Sequence, residues 1–308
     1  MHLYNAGLYS SNFDLEGRVF SLLTDEEKVL RARNENFLES YHYIHKETAV
    51  KRIRRDGIKV FLDSGAFSAL TQGVTIDLPK FCDYIHRNQD IIKMVAALDV
   101  IDFKNPIAAA KGSFWNLLEM EKRGVKDIVP TYHFGEPEEA CQYYVERYPY
   151  ISIGGLVGAS AKMLMQWLDR IFDRYLTNGD GSLRTKVHLF GVTSLPLMLR
   201  YNATSVDSST WVQWSAMGMI LLPHSGRQMN VSSKSTFKKM AGQHLDTLRP
   251  VEREAVEAEI RACGADPQRI RDLYYARWAF NCWAFPEYLR LRMSDKATHF
   301  NIAEQVLF

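Results

Sequence analysis

The sequence predicts an α/β chain folded as a (β/α)8 TIM barrel with a hairpin insertion and a helical C-terminal extension, and three observations carry that expectation. Eight short apolar segments have strand character, at roughly 2–8, 36–43, 58–63, 94–99, 127–133, 150–155, 186–192 and 203–207. Segments of helical period separate them, which implies a parallel sheet, because each crossover must return the chain to the same edge and bury one helical face. No G-x-G-x-x-G follows the first strand, so an open doubly wound dinucleotide-binding sheet is the weaker alternative.

The element ends have local physical causes. Thr24 and Glu27 form a capping-box pattern, Asn105 precedes Pro106 at a first helical position, and Gly124 follows a last turn. Ser160 and Ser194 are further N-cap candidates. Beyond residue 207 the alternation stops. Trp211, Trp214 and the apolar run 217–222 lead into a polar, basic stretch at 224–239, which reads as a basic hairpin or insertion across 215–245. Helical patterns follow at about 235–247, 250–263 and 266–290, the last opened by Asp266 and Pro267, and 250–308 forms the helical C-terminal part. The 308 residues are read as a single domain without repeat or linker.

Composition excludes several classes. With 46% apolar and 24% charged residues the chain is neither disordered nor collagen-like. A formal charge of +2 is too small for bulk attraction to a polyanion, so any nucleic-acid site must be local. The cysteines are scattered and no basic region followed by an apolar stretch opens the chain, which predicts a reduced, cytoplasmic protein. Apolar runs stop short of the roughly 18 residues a membrane span needs.

In a parallel barrel the working residues stand at the carboxyl ends of the strands. The third strand ends in Asp63-Ser64-Gly65-Ala66-Phe67, the fourth in Asp99 and the fifth in His133. The sixth ends in Gly154-Gly155-Leu156, the seventh in Phe190-Gly191-Val192 and the eighth in Val206-Asp207-Ser208. Each has a plainer alternative. An Asp past a strand often caps the next helix, Gly154-Gly155 alone reads as a tight turn, His133 as a satisfied rim histidine, and Phe67 and Phe190 as core. Together, carboxylates converging on one pocket suggest a division of labour in which one attacks an electrophilic carbon while another moves the proton. Retaining glycosyl transfer uses such a pair. Two aromatic rings, exposed glycine backbone and a third carboxylate would suit a flat heterocycle rich in N–H donors.

These residues carry a resemblance. Asp63-Ser64-Gly65-Ala66-Phe67-Ser68 resembles the D-S-G-G-[FY]-Q motif of the tRNA-guanine transglycosylase superfamily, and Gly154-Gly155-Leu156-Val157-Gly158 resembles its G-G-L-x-x-G-E. Phe190-Gly191-Val192 followed by Val206-Asp207-Ser208 is similar to its M-G-V segment and later F-D-C, and order and spacing match across about residues 36–214. The resemblance implies Asp207 as nucleophile at C1′ and Asp63 as general acid/base. It implies Asp99 on the purine's N1 and amino edge, His133 at a base-recognising position, and Gly154, Gly155 and Leu156 as base-binding backbone. Phe67 and Phe190 would sandwich the base. The implied reaction exchanges guanine for a 7-deazaguanine derivative of the preQ0 type through a covalent glycosyl-aspartate, with no cofactor. A 7-deaza base has carbon where guanine has N7, so the inserted base should leave less readily than guanine.

The departures are specific. The C-x-C-x-x-C cysteines that hold zinc in the tRNA enzymes are absent, Cys263 and Cys282 stand alone, and no metal is expected. Ala66 replaces a glycine, Ser68 a glutamine, and no glutamate follows Gly158. Leu3-Tyr4-Asn5-Ala6-Gly7-Leu8-Tyr9-Ser10-Ser11 and Glu39-Ser40-Tyr41-His42-Tyr43 resemble the phage and bacterial DNA-modifying branch, which implies guanine-containing DNA and a free 7-deazaguanine base as partners. Alternatives are a tRNA-guanine transglycosylase without the zinc module and a non-catalytic nucleic-acid-binding barrel. A phosphate-handling isomerase or aldolase is disfavoured because no Lys stands at a strand end. The target nucleoside would have to be extruded or single-stranded. Cations for the nucleic-acid backbone are sought in Lys51, Arg52, Arg54 and Arg55, in Arg227, Lys234, Lys238 and Lys239, and in Arg290 and Arg292, each cluster alternatively being a solvated helix face.

Overall fold

The computed structural model describes residues 1–9, 21–102, 104–155, 160–192, 195–235 and 241–306. Two compact units divide the chain: one gathers Met1–Asn5, Phe13–Glu35 and Ser208–Phe308, the other Ala6–Asn12 and Asn36–Asp207.

The main strands are β1 (His2–Ala6), β2 (Phe37–Ser40), β3 (Val60–Asp63), β4 (Ile92–Ala96), β5 (Ile128–Val129), β6 (Thr131–His133), β7 (Tyr150–Gly154), β8 (Lys186–Leu189) and β9 (Ser205–Ser208). They form one nine-stranded sheet in the order β5-β4-β3-β2-β1-β9-β8-β7-β6. The pairings from β2 to β5 and from β6 to β9 are all parallel. The two ends of the order, β5 and β6, are consecutive in the chain and separated by Pro130 alone, so the sheet is a nearly closed barrel. Proline has no N–H for the ladder, which accounts for the interruption. On either side the chain changes neighbours: the Val129 carbonyl accepts from the Ala97 amide at 3.0 Å, and the Pro130 carbonyl from the Ser152 amide at 2.8 Å.

Each segment expected to be a strand overlaps one, with 127–133 split at Pro130 and 94–99 displaced from Ile92–Ala96. Phe61, Leu62, Val95, Ile151, Ile153, Val187, Leu189 and Val206 are fully buried, the near-continuous apolar character of strands covered on both faces. The caps are in place as well. Thr24 and Glu27 make the reciprocal capping box, Asn105 accepts from the Ala108 amide, Ser160 from that of Met163, and Asp266 from those of Gln268 and Arg269. Ser194 lies outside the described residues.

In the other unit, β10 (Met219–Leu221) and β11 (Gln228–Asn230) form the antiparallel hairpin expected there. Leu30, Ile220, Leu222, Met229, Val256, Ile260 and Phe280 belong to its apolar core. Two expectations need correction. Residues 241–247 are turns and a short 3₁₀ segment, Leu245–Thr247, rather than helix: the Gln243 carbonyl is taken by the Asn230 amide, and the His244 side chain caps the Asp246 amide. The helix expected over 266–290 is two helices, Pro267–Asp272 and Tyr274–Val306, parted at Leu273, whose backbone is extended. Among the described residues no helix is long and apolar enough to cross a membrane.

Candidate active site

The side chains of the candidate site all belong to the unit that holds Asn36–Asp207. β3 ends on Asp63, and the turn after it is fixed by the Gly65 amide donating to Asp63 Oδ2 at 3.0 Å. Gly65 has φ +77°, and a Cβ there would stand 2.2 Å from Ser40 Oγ, so conformation and space both demand glycine. Burial drives the Asp63 carboxyl upward, the charges of Asp99 and Asp207 add to it, and bonds from the Gly65 and Ser64 amides oppose it only in part. Its pKa is pushed up to about 7.

Asp99 follows β4 by three residues, and its Oδ2 lies 3.4 Å from His133 Nε2. Its Oδ1 is buried and has no hydrogen-bond partner among the described residues. His133 closes β6. Its Nδ1–H donates to Glu136 Oε1 at 3.1 Å while its backbone N–H donates to Glu136 Oε2 at 3.0 Å, so one buried carboxylate fixes both. Burial alone would favour the neutral ring, but Asp99 and Glu136 outweigh it and hold the pKa at about 10. His133 is thus an imidazolium at neutral pH. A Cβ on Gly154 would fall 2.9 Å from His133 Cδ2, so only a residue without a side chain lets the ring pack this closely on β7.

A cavity of about 620 Å³ opens between these strand ends, lined by Asp63, Phe67, Asp99, His133, Glu136, Gly154, Gly155, Met163, Phe190 and Gly191 among other residues. Phe67, on the short helix Ala66–Thr71, is 45% exposed. Phe190 meets the His188 ring edge-on at 4.6 Å and tilts against Phe61 at 5.8 Å. Asp207 adjoins the cavity through Gly191, whose amide donates to Asp207 Oδ1 at 2.7 Å. The same oxygen lies 3.3 Å from His188 Nε2.

Of the residues expected at the site, the fold thus gathers Asp63, Phe67, Asp99, His133, Gly154, Gly155 and Phe190 around one cavity, with Asp207 adjoining; Leu156 lies outside the described residues. The cationic clusters are placed differently. Lys51 pairs with Glu47, and Arg55 with Asp56. Arg54 donates to both carboxylate oxygens of Asp90, at 2.6 and 2.9 Å, just before β4 begins, which is the amino-terminal end of the strands and the opposite end from Asp63. Arg52 is buried, and its guanidinium donates to the Tyr9 carbonyl at 2.8 Å. In the other unit, Arg227 is half-buried, Lys234 exposed, Arg290 paired with Glu287, and Arg292 bonded to the His224 carbonyl; Lys238 and Lys239 lie outside the described residues.

Sequence reasoning missed Glu136 and His188. The signal for Glu136 is its position three residues after His133, within reach across a tight turn. For His188 it is a polar residue inside an apolar strand, two places before Phe190 and so on the same face. Among the described residues no group of three or more His, Cys, Asp or Glu side chains is arranged to hold a metal ion. No protein-family model matches the chain, and no curated protein matches it.

Proposed function

We propose that the protein is a cytoplasmic DNA-guanine transglycosylase built on a (β/α)8 barrel, in which β5 and β6 count as one strand broken at Pro130 and reduce nine strands to eight. The observation that carries the reading is Asp63, a half-buried carboxyl at the cavity wall whose pKa of about 7 is raised in part by two neighbouring carboxylates. Such a group can give a proton to a departing base and take one from its replacement near neutral pH.

In the proposed reaction Asp207 attacks C1′ of the target guanosine. The C1′–O bond forms as the C1′–N9 bond breaks, the electron pair leaves on the base, and the Asp63 proton neutralises it at N7. A 7-deazaguanine then loses its N9 proton to Asp63 and displaces Asp207, so two inversions retain the configuration. A cavity of about 620 Å³ falls within the range of small-ligand pockets and has room for one flat base. Asp99 Oδ1, without a hydrogen-bond partner among the described residues, supports the assignment, since guanine's N1–H and 2-amino group are donors that would satisfy it. The choice of DNA rests on the resemblance of residues 3–11 and 39–43 to the DNA-modifying branch.

The test is to mix enzyme with guanine-containing single-stranded DNA or with tRNA, denature, and look for a covalent protein–nucleic acid adduct, alongside incorporation of labelled guanine. The expected result is an adduct and incorporation with DNA, both lost in Asp207→Asn. An adduct with tRNA alone would move the reading to a tRNA enzyme. Neither adduct nor incorporation with either polymer would overturn it.

A further inference from the structure

We infer that His188 is the positioning residue of Asp207, locked in a single tautomer by a buried relay that runs from Tyr150 through Ser205 and His188 to the carboxylate. Its catalytic consequence rests on the transglycosylase reading; the relay itself does not.

The sheet register builds the relay. His188 on β8 pairs with Ser205 on β9, and Asp207, two residues on, presents its side chain on the same face as Ser205. His188 therefore sits between them, Nδ1 2.6 Å from Ser205 Oγ and Nε2 3.3 Å from Asp207 Oδ1. Ser205 Oγ is in turn 2.5 Å from the Tyr150 hydroxyl at the start of β7. His188 and Ser205 are fully buried, and the rings of Phe61 and Phe190 meet the imidazole edge-on at 5.0 and 4.6 Å.

Donor and acceptor roles follow from the carboxylate. An ionised Asp207 can only accept, so His188 Nε2 carries the hydrogen. With that single hydrogen on Nε2, the ring's lone pair is on Nδ1, which the Ser205 hydroxyl must donate to, and the Ser205 oxygen is left to accept from the Tyr150 O–H. Burial raises the Tyr150 phenol above its ordinary value, which keeps it a donor. Each bond fixes the sense of the next.

The relay acts on one oxygen. With the Gly191 amide and His188 Nε2–H both directed at Oδ1, Oδ2 is left as the atom that attacks C1′. In the glycosyl-aspartate Oδ1 becomes the ester carbonyl, and the same two donors face it as negative charge returns during the second displacement, as in an oxyanion hole. His188 thus serves both half-reactions without touching substrate.

Two measurements test this. In protein labelled with ¹⁵N at histidine, NMR should show His188 Nε2 protonated and Nδ1 pyridine-like, with that preference lost in Asp207→Ala, where the Ser205 hydroxyl can either donate or accept. In base exchange, His188→Leu should lower kcat on the order of 100-fold with KM little changed, and His188→Gln, whose amide N–H can still reach Asp207, should recover most of it. An Nδ1–H tautomer in the wild type, or a folded His188→Leu enzyme within about twofold of wild-type kcat, would overturn the inference. If wild-type protein exchanges no base at all, the transglycosylase reading falls, and the NMR result still decides whether the relay exists.

Discussion

Asp63 and His133 both hold a proton more tightly in the folded protein than free in solution, and the consequences run in the same direction. Asp63 is raised from 3.8 to about 7. As the proton donor it must be protonated when guanine leaves, so adduct formation should slow as pH rises above about 7, a profile that single-turnover kinetics would show. Its contribution to stability is fully present below its unfolded value and lost as pH climbs through 7. Asp63→Asn cannot ionise. It should therefore melt higher than the wild type near pH 8, by at most about 4 kcal/mol, and show no such gain near pH 4, while base exchange falls roughly 10²- to 10⁴-fold. His133 is raised from 6.5 to about 10 by Asp99 and Glu136 against the effect of burial, so its contribution is present below about pH 6.5 and lost as pH rises through 10. Urea denaturation should show wild-type stability declining across that window, and His133→Gln should flatten the decline. At this scale Asp63, Asp99, His133 and Asp207 were legible because each is a polar residue at or just past the carboxyl end of a strand segment. His188 was not, because a histidine within a strand acquires meaning only from the neighbour that the register sets beside it.

Among the elements, the turn after β3 is the most tightly specified. Gly65→Ala would combine a left-handed backbone with a contact on Ser40 Oγ that no side-chain carbon tolerates. It should destabilise the protein by more than about 1 kcal/mol and displace the Asp63 carboxyl, measured as a lower urea midpoint together with loss of adduct. Helix beginnings could be read directly, since a cap such as Thr24, Asn105 or Asp266 depends on residues within one turn. The helix expected at 235–247 failed at its described end for the opposite reason: the bond between the Asn230 amide and the Gln243 carbonyl comes from a distant part of the chain and takes backbone that a helix would use. Pro130 was visible as a residue without an N–H, whereas the change of partner from β4 to β7 emerges only once the sheet curls round.

For the molecule as a whole, alternation of eight apolar segments was sufficient to anticipate the parallel sheet. The division into two units was not legible, because it depends on contacts such as the ion pair between Glu27 and Arg269, 2.7 Å apart across 242 positions of sequence. The four thiols report on both units: Cys82 and Cys141 are buried in one, Cys263 and Cys282 in the other. Burial raises all four, Cys141 to about 12 and Cys263 and Cys282 to about 11. None should react with a disulfide reagent in native protein at pH 8, and stepwise labelling in rising urea should reveal which pair is released first.

The make-up of the unit that contains both Glu27 and Arg269 sets an order of assembly on the ribosome. Residues 36–207 are consecutive and can find their native neighbours while later codons are still being read. The helix Asp25–Ala32 cannot, for the apolar residues that enclose Leu30, such as Ile220 and Phe280, all lie beyond residue 207 and are translated later. Nascent chains stalled shortly after residue 207 should therefore protect the region from 36 onward against protease while leaving the segment around Leu30 open to cleavage and to chaperone capture.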